Sequence, residues 1–213
     1  MFNKYQTSLS LIIVSLALLV SACSDSTSGV EEPISEVEVQ KVEDLEATGE
    51  NGEYTFFSLR SGQEVAHGDS ATTEWDVAFN GTTIRFNGGV SGPGDGGALL
   101  LDVPFDEVST APTEGYYTDT DDSLAVPTGG GNGWYTYTGR SNPPHAVLPI
   151  EDRTIVLETA DGEHYAKLKI ISYYKGNPDT STDEFANLET RPDSKYYTFR
   201  YAVQMTEGLR ELN

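Results

Sequence analysis

Hydrophobic positions along this chain fall into two regimes. Near the N-terminus they form one run, from about Leu9 to Val20; from residue 36 onward they form short alternating runs punctuated by Gly, Pro, Asn and Asp. Alternation with period two predicts strands that bury one face, and the punctuation predicts tight turns between them. "SEVEVQKVEDLEA" reads as an opening strand. "EYTFFSLRSGQEV", "TTEWDVAFNG" and "TTIRFNGG" read as three more. "RTIVLETADGEHYAKLKIISYY" reads as a hairpin turned at Asp161-Gly162, with Ile155, Leu157, Leu168 and Ile170 facing the core. "KYYTFRYAVQM" gives a last strand with Tyr197, Phe199, Tyr201 and Val203 on one face. A short helix is expected around "DEFANLE" or at the extreme C-terminus. The pattern predicts a mostly β domain over residues 36–213, an antiparallel curved sheet or β-sandwich with little helix.

The N-terminal run follows Lys4 and ends at Val20-Ser21-Ala22-Cys23. That is the layout of a secretory signal, and the run is too short to span a bilayer comfortably. Residues 1–22 are therefore expected to be a lipoprotein signal peptide, with Cys23 as the lipidated first residue of the mature chain. An ordinary signal peptide has the same layout, but the chain's single cysteine stands where a lipobox requires it. Residues 23–35, small, polar and acidic, read as a flexible tether to an outer-membrane or cell-surface anchor. No cysteine remains for a disulfide, so the domain must fold by burial alone. The formal charge is −21, and removal of Lys4 takes away one positive charge, leaving −22. Such a surface repels phosphate backbones and excludes nucleic-acid binding.

Few residues carry recognisable chemistry. The chain has three histidines, with no H-x-x-x-H pair for zinc and no G-x-S-x-G elbow for a nucleophile, so no enzyme is expected. His145 sits in "NPPHAVLPI", where Pro143, Pro144 and Pro149 restrict the backbone; it reads as a metal ligand held in place or as a turn histidine bonded to backbone. His164, after the hairpin turn, reads as an exposed strand residue, and His67 lies in a polar loop. Met205 follows the last strand, where packing explains it as well as iron would. In "GWYTYTG" the spacing predicts Trp134 on the face opposite Tyr135 and Tyr137, so that one face could stack on a flat ring or fill the core. Trp75 is expected to be buried, with Asp76 capping a turn or pairing with Arg85. The glycines of "GGVSGPGDGG" lack the ending of a phosphate loop and suit a sharp bend or close backbone approach. Asp119, Asp121 and Asp122 could offer oxygens to calcium or form a solvated loop.

Taken in order, "TTEWDVAFNGTTIRFNGGVSGPGDGGA", "FDEVSTAPTEGYYTD", "GNGWYTYTG", "RTIVLETADGEHYAKLKIISYYKG" and "YYTFRYAVQ" resemble the HmuY-like family of bacterial haem-binding lipoproteins. The resemblance implies a mostly β surface lipoprotein that takes up haem and delivers it to an outer-membrane receptor. It also implies two iron-ligating histidines, one on the loop before the "GW" strand and one just beyond that strand's aromatic core. Here the first region, "DTDDSLAVPTGGG", has no histidine, and Gly139 stands at the second place; His145 lies six positions later. The resemblance therefore points to His145 as the iron contact, with Trp134, Tyr135 and Tyr137 around the haem and a tyrosine or water completing the site. The alternative is a non-catalytic carbohydrate- or partner-binding module that kept the fold and lost haem.

Overall fold

The computed structural model describes residues 37–213. The signal peptide, the Cys23 lipidation site and the tether lie outside the described residues.

Eleven strands and one short helix follow in chain order: β1 (Val39–Glu46), β2 (Thr55–Ser58), β3 (Gln63–Val65), β4 (Val77–Asn80), β5 (Thr83–Phe86), β6 (Gly97–Leu101), β7 (Tyr135–Tyr137), β8 (Val147–Pro149), β9 (Thr154–Glu158), β10 (Tyr165–Tyr174), α1 (Asp183–Ala186) and β11 (Ser194–Gln204). They form a five-stranded sheet in the order β1-β11-β10-β9-β6 and a four-stranded sheet in the order β3-β2-β4-β5. β7 and β8 pair as a separate hairpin, and all pairings are antiparallel.

The two large sheets pack face to face through aromatic rings. Phe57 of β2 meets Phe199 edge-on at 5.5 Å, and Phe79 of β4 lies 4.6 Å from Tyr197 and 5.5 Å from Phe199. Tyr197, Phe199, Tyr201 and Val203 all point into this core, as do Ile155, Leu157, Leu168 and Ile170. The period-two reading of these strands holds. The outer face of the five-stranded sheet is covered separately: Phe105 packs on Ala202, and Val108, Ala111 and Leu212 pack on Val156 and Tyr165. Lys167, buried on that outer face, donates from Nζ to the carbonyls of Phe105 (3.1 Å) and Val108 (2.8 Å).

Three expectations change. "EYTFFSLRSGQEV" is not one strand but the hairpin β2–β3, turned at Gly62, whose φ of 69° only glycine adopts freely. The β9–β10 turn is wider than a two-residue loop: strand pairing ends at Glu158 and Tyr165, and the Thr159 amide donates to the His164 carbonyl at 3.0 Å. Asp161 caps this turn by accepting from the Glu163 amide at 3.1 Å, and its other oxygen pairs with Arg60 at 2.7 Å. Trp75 is buried and Asp76 caps turns as expected, accepting from the Leu59 (2.8 Å) and Ala160 (3.0 Å) amides; its charge partner, however, is Arg60 at 3.2 Å and not Arg85, which lies over the Tyr54 ring. The short helix is α1, whose Thr182 hydroxyl accepts from the Phe185 amide at 3.2 Å as an N-cap.

Candidate functional site

The β7–β8 hairpin positions the residues singled out in "GWYTYTG" and "NPPHAVLPI". Tyr135 pairs with Pro149 and Tyr137 with Val147. Trp134 and Tyr135 do not face opposite ways: both are buried in the main core, with rings 4.9 Å apart. The alternation rule fails here because β7 begins only at Tyr135. Trp134 precedes it and is fixed by its indole N–H, which donates to the Thr82 carbonyl at 3.0 Å. Tyr137 ends the strand 53 % exposed. Of these three aromatics it alone presents a ring to solvent.

The chain between Thr138 and Ala146 closes on itself. The Thr138 amide donates to the Ala146 carbonyl (2.9 Å), and the Ala146 amide to the Thr138 hydroxyl (2.8 Å). The Thr138 hydroxyl donates to the Pro143 carbonyl at 2.6 Å, and the His145 amide to the Gly139 carbonyl at 2.7 Å. Arg191 grips the loop from outside, donating to the carbonyls of Pro144 (2.7 Å) and His145 (3.2 Å) while its guanidinium lies 4.6 Å over Phe185. Within this frame His145 is exposed at φ 52°, in the left-handed region that side chains seldom adopt. Its Nδ1 lies 2.8 Å from the Tyr137 hydroxyl. As a turn histidine His145 bonds to backbone through its own amide, while its ring meets a phenol.

Two residues past His145, β8 begins to line an apolar groove of about 540 Å³. Val147, Leu148 and Pro149 of β8 and the following Ile150 line it from one side, and Ile171 and Tyr173 from β10. Lys169 and Arg200, directly opposite each other in the β10–β11 register, also line it. Lys169 donates to the Glu151 carbonyl, and Arg200 is paired with Asp106 at 2.9 Å. Val147 to Ile150 belong to the "NPPHAVLPI" stretch, but the sequence did not mark them as groove residues. In β10, Leu168 and Ile170 face the core, and regular alternation puts Ile171 on the other face with Lys169, where both line the groove.

The other candidates are occupied structurally. His164 is not an exposed strand residue: its Nδ1 lies 3.0 Å from Asp161, and its side chain is 15 % exposed. Asp161, Glu163 and His164 bring donor atoms within 4.8 Å of one another, but the Arg60 guanidinium, 2.7 Å from Asp161, already supplies the cation. Burial pushes the Asp161 carboxyl up; the Thr159 hydroxyl, the Glu163 amide and the Arg60 charge outweigh it and hold it at about 2. Asp76 is shifted up by burial, against its bonds from Ala160, Arg60 and Leu59. His67 faces Glu53 at 3.6 Å on the surface. Met205 is 53 % exposed, so it does not pack. Asp119 is buried and ties its loop down by accepting from the amides of Phe86 (3.2 Å) and Ala125 (2.8 Å), while Asp121 and Asp122 are exposed. The glycine-rich stretch makes the expected close approach: a Cβ on Gly88 would stand 2.0 Å from the Gly96 carbonyl oxygen.

A flat macrocycle carrying a ferric centre requires an apolar slot and an oxygen, nitrogen or sulfur donor. The groove has the apolar character of the first; the exposed phenol–imidazole pair carries donor atoms but does not line the groove. The positions at which the resemblance implies ligand histidines carry none: residues 119–131 contain no histidine, and position 139 is glycine.

The fold and this site define a two-sheet antiparallel β protein with a surface groove beside a rigid hairpin loop. The family model described as HmuY protein matches residues 50–186, and the chain belongs to the HmuY family. A solved structure of similar fold is that of an apo HmuY analog from Tannerella forsythia, with a TM-score of 0.50 and 14 % identity over 81 % of this chain and 99 % of that one. At that identity the likeness speaks for the fold. No curated protein matches the chain.

Proposed function

We propose that this protein is a lipid-anchored outer-membrane or surface protein that captures haem, or a small ligand derived from that role, and passes it to a membrane receptor. Its work is recognition and not catalysis. Membership of the HmuY family supports a haem-like ligand. The observation that carries the reading within this chain is the groove between β8 and β10: at about 540 Å³ it falls inside the range of roughly 300–1,000 Å³ of small-molecule sites. Its apolar walls suit a macrocycle, and Lys169 and Arg200 suit the carboxylates at a haem's edge. The Tyr137–His145 pair carries donor atoms on the neighbouring hairpin, outside the groove lining. Acylated Cys23 and the polar stretch after it would hold the domain at the membrane while leaving it in water.

A second reading is a partner- or carbohydrate-binding module that has lost haem, and the missing histidines at the family's ligand positions favour it. Burial of Trp134 and Tyr135 weighs against its carbohydrate form, because it leaves little stacking surface in that segment.

Titration of the full chain in detergent with haemin separates the two. The expected result is a Soret shift that saturates at one haemin per chain, weakened about tenfold or more by Ile171→Asp, which puts a carboxylate into the groove. An unchanged haemin spectrum at micromolar protein would leave the second reading.

A further inference from the structure

We propose that the cleft between the outer face of the four-stranded sheet and the loop over residues 120–128 binds a small zwitterion: an ammonium and a carboxylate on one short apolar body, the chemistry of a free α-amino acid. The cleft shares no residue with the groove beside β8 and is independent of the haem reading.

One wall comes from the sheet. In β5, Ile84 and Phe86 face the core, so Arg85 is turned outward beside Ala78, its register partner in β4. Its guanidinium lies 4.8 Å over the Tyr54 ring. Nε is walled in without a hydrogen-bond partner among the described residues, so a ligand would meet the two Nη groups. The chain has 34 acidic residues, yet among the described residues no carboxylate pairs with Arg85. The facing wall carries Asp121 and Asp122, both exposed. That loop is tied down at both ends and within. Buried Asp119 accepts from the amide of Phe86, the neighbour of Arg85, at 3.2 Å, and its carbonyl accepts from the Val90 amide at 3.0 Å. The Thr120 amide donates to the Ser123 carbonyl at 2.8 Å, and the Ser123 amide donates back to the Thr120 hydroxyl at 3.0 Å. One cavity of about 510 Å³ therefore holds a cation and two anions that do not join.

Opposite charges kept apart in a single cavity are complementary to one molecule that carries both. A lone anion would gain Arg85 but meet the two aspartates. A lone cation would gain the aspartates but meet Arg85. A zwitterion satisfies both walls: the guanidinium donates to its carboxylate, and its ammonium donates to the aspartates. Val90, 54 % exposed, and Leu124 line the same cavity and offer contact to a short aliphatic body.

The test is calorimetric titration of the full chain in detergent with L-leucine. Two analogues stand beside it: isocaproate, which lacks the ammonium, and isoamylamine, which lacks the carboxylate. The expected outcome is saturation at one leucine per chain, with each analogue weaker by about tenfold or more. Arg85→Met keeps an aliphatic chain over Tyr54 and should lose leucine binding. Asp121→Asn combined with Asp122→Asn should weaken leucine and strengthen isocaproate, a change of preference that damage to the fold does not produce. Circular dichroism and melting of both variants should match wild type. Haemin titration of Arg85→Met should also match wild type, so failure here and failure of the haem reading are told apart. Equal affinity for leucine and isocaproate would overturn the proposal in favour of a simple anion site. Absence of saturable heat at millimolar leucine would overturn it outright.

Discussion

Asp76 shows how a single side chain joins the two halves of the fold. It has no exposed side-chain surface, and it accepts from the Leu59 amide (2.8 Å), the Ala160 amide (3.0 Å) and the Arg60 side chain (3.2 Å), so it links the β2–β3 turn to the β9–β10 turn. Removing the carboxylate leaves three buried or half-buried donors without their acceptor. Asp76→Ala should therefore cost about 3 kcal/mol, read as a lower urea midpoint with unchanged slope. Asp161, on the other side of Arg60, adds a pH dependence. Its folded pKa of about 2 lies below the ordinary 3.8, so its contribution is complete above about pH 4 and is lost as pH falls through 2. Discounted for solvent screening at this partly exposed position, that contribution is on the order of 1 kcal/mol. Denaturation of wild type and Asp161→Asn should differ by that amount at pH 7 and converge near pH 2.

At the scale of elements, strands with sustained alternation were legible and short ones were not. β9, β10 and β11 run five residues or more, and their core faces follow from period two. β7 and β8 are three residues each, too short to set a period, so the pairing that brings Tyr137 to His145 was hidden. The prolines around His145 announced a stiff loop, but nothing local announced its partner. Ile171 follows regular alternation onto the face of Lys169, but alternation alone does not announce that the loop before β9 turns that face into a groove. The glycine stretch was read correctly as a close approach, and this has a consequence. Gly88→Ala would drive a methyl to 2.0 Å from the Gly96 carbonyl oxygen. It should destabilise the fold by about 2 kcal/mol or more through backbone displacement. Gly176→Ala has φ 77° and open space, and should cost about 1 kcal/mol. Thermal melts of the two variants make the comparison.

For the whole molecule, the net charge of −21 sets the background against which any ligand approaches. A haem brings carboxylates of the same sign as the protein, so local cations must offset a repulsive field. Lys169 and Arg200 are the groove's two cations. Lys169→Glu should therefore lower haemin affinity about threefold to fivefold at low salt. The difference should fade toward 1 M salt, where the screening length falls to about 3 Å. The molecule is a two-sheet β protein of the HmuY family, and its proposed role is to hold one iron porphyrin in the groove beside β8. Calorimetric titration of the full chain with haemin, set beside the same titration with iron-free protoporphyrin, tests it most directly. The account predicts saturation at one haemin per chain and clearly weaker binding of the metal-free ring. Absence of saturable heat with haemin, or equal affinity for the two rings, would contradict it.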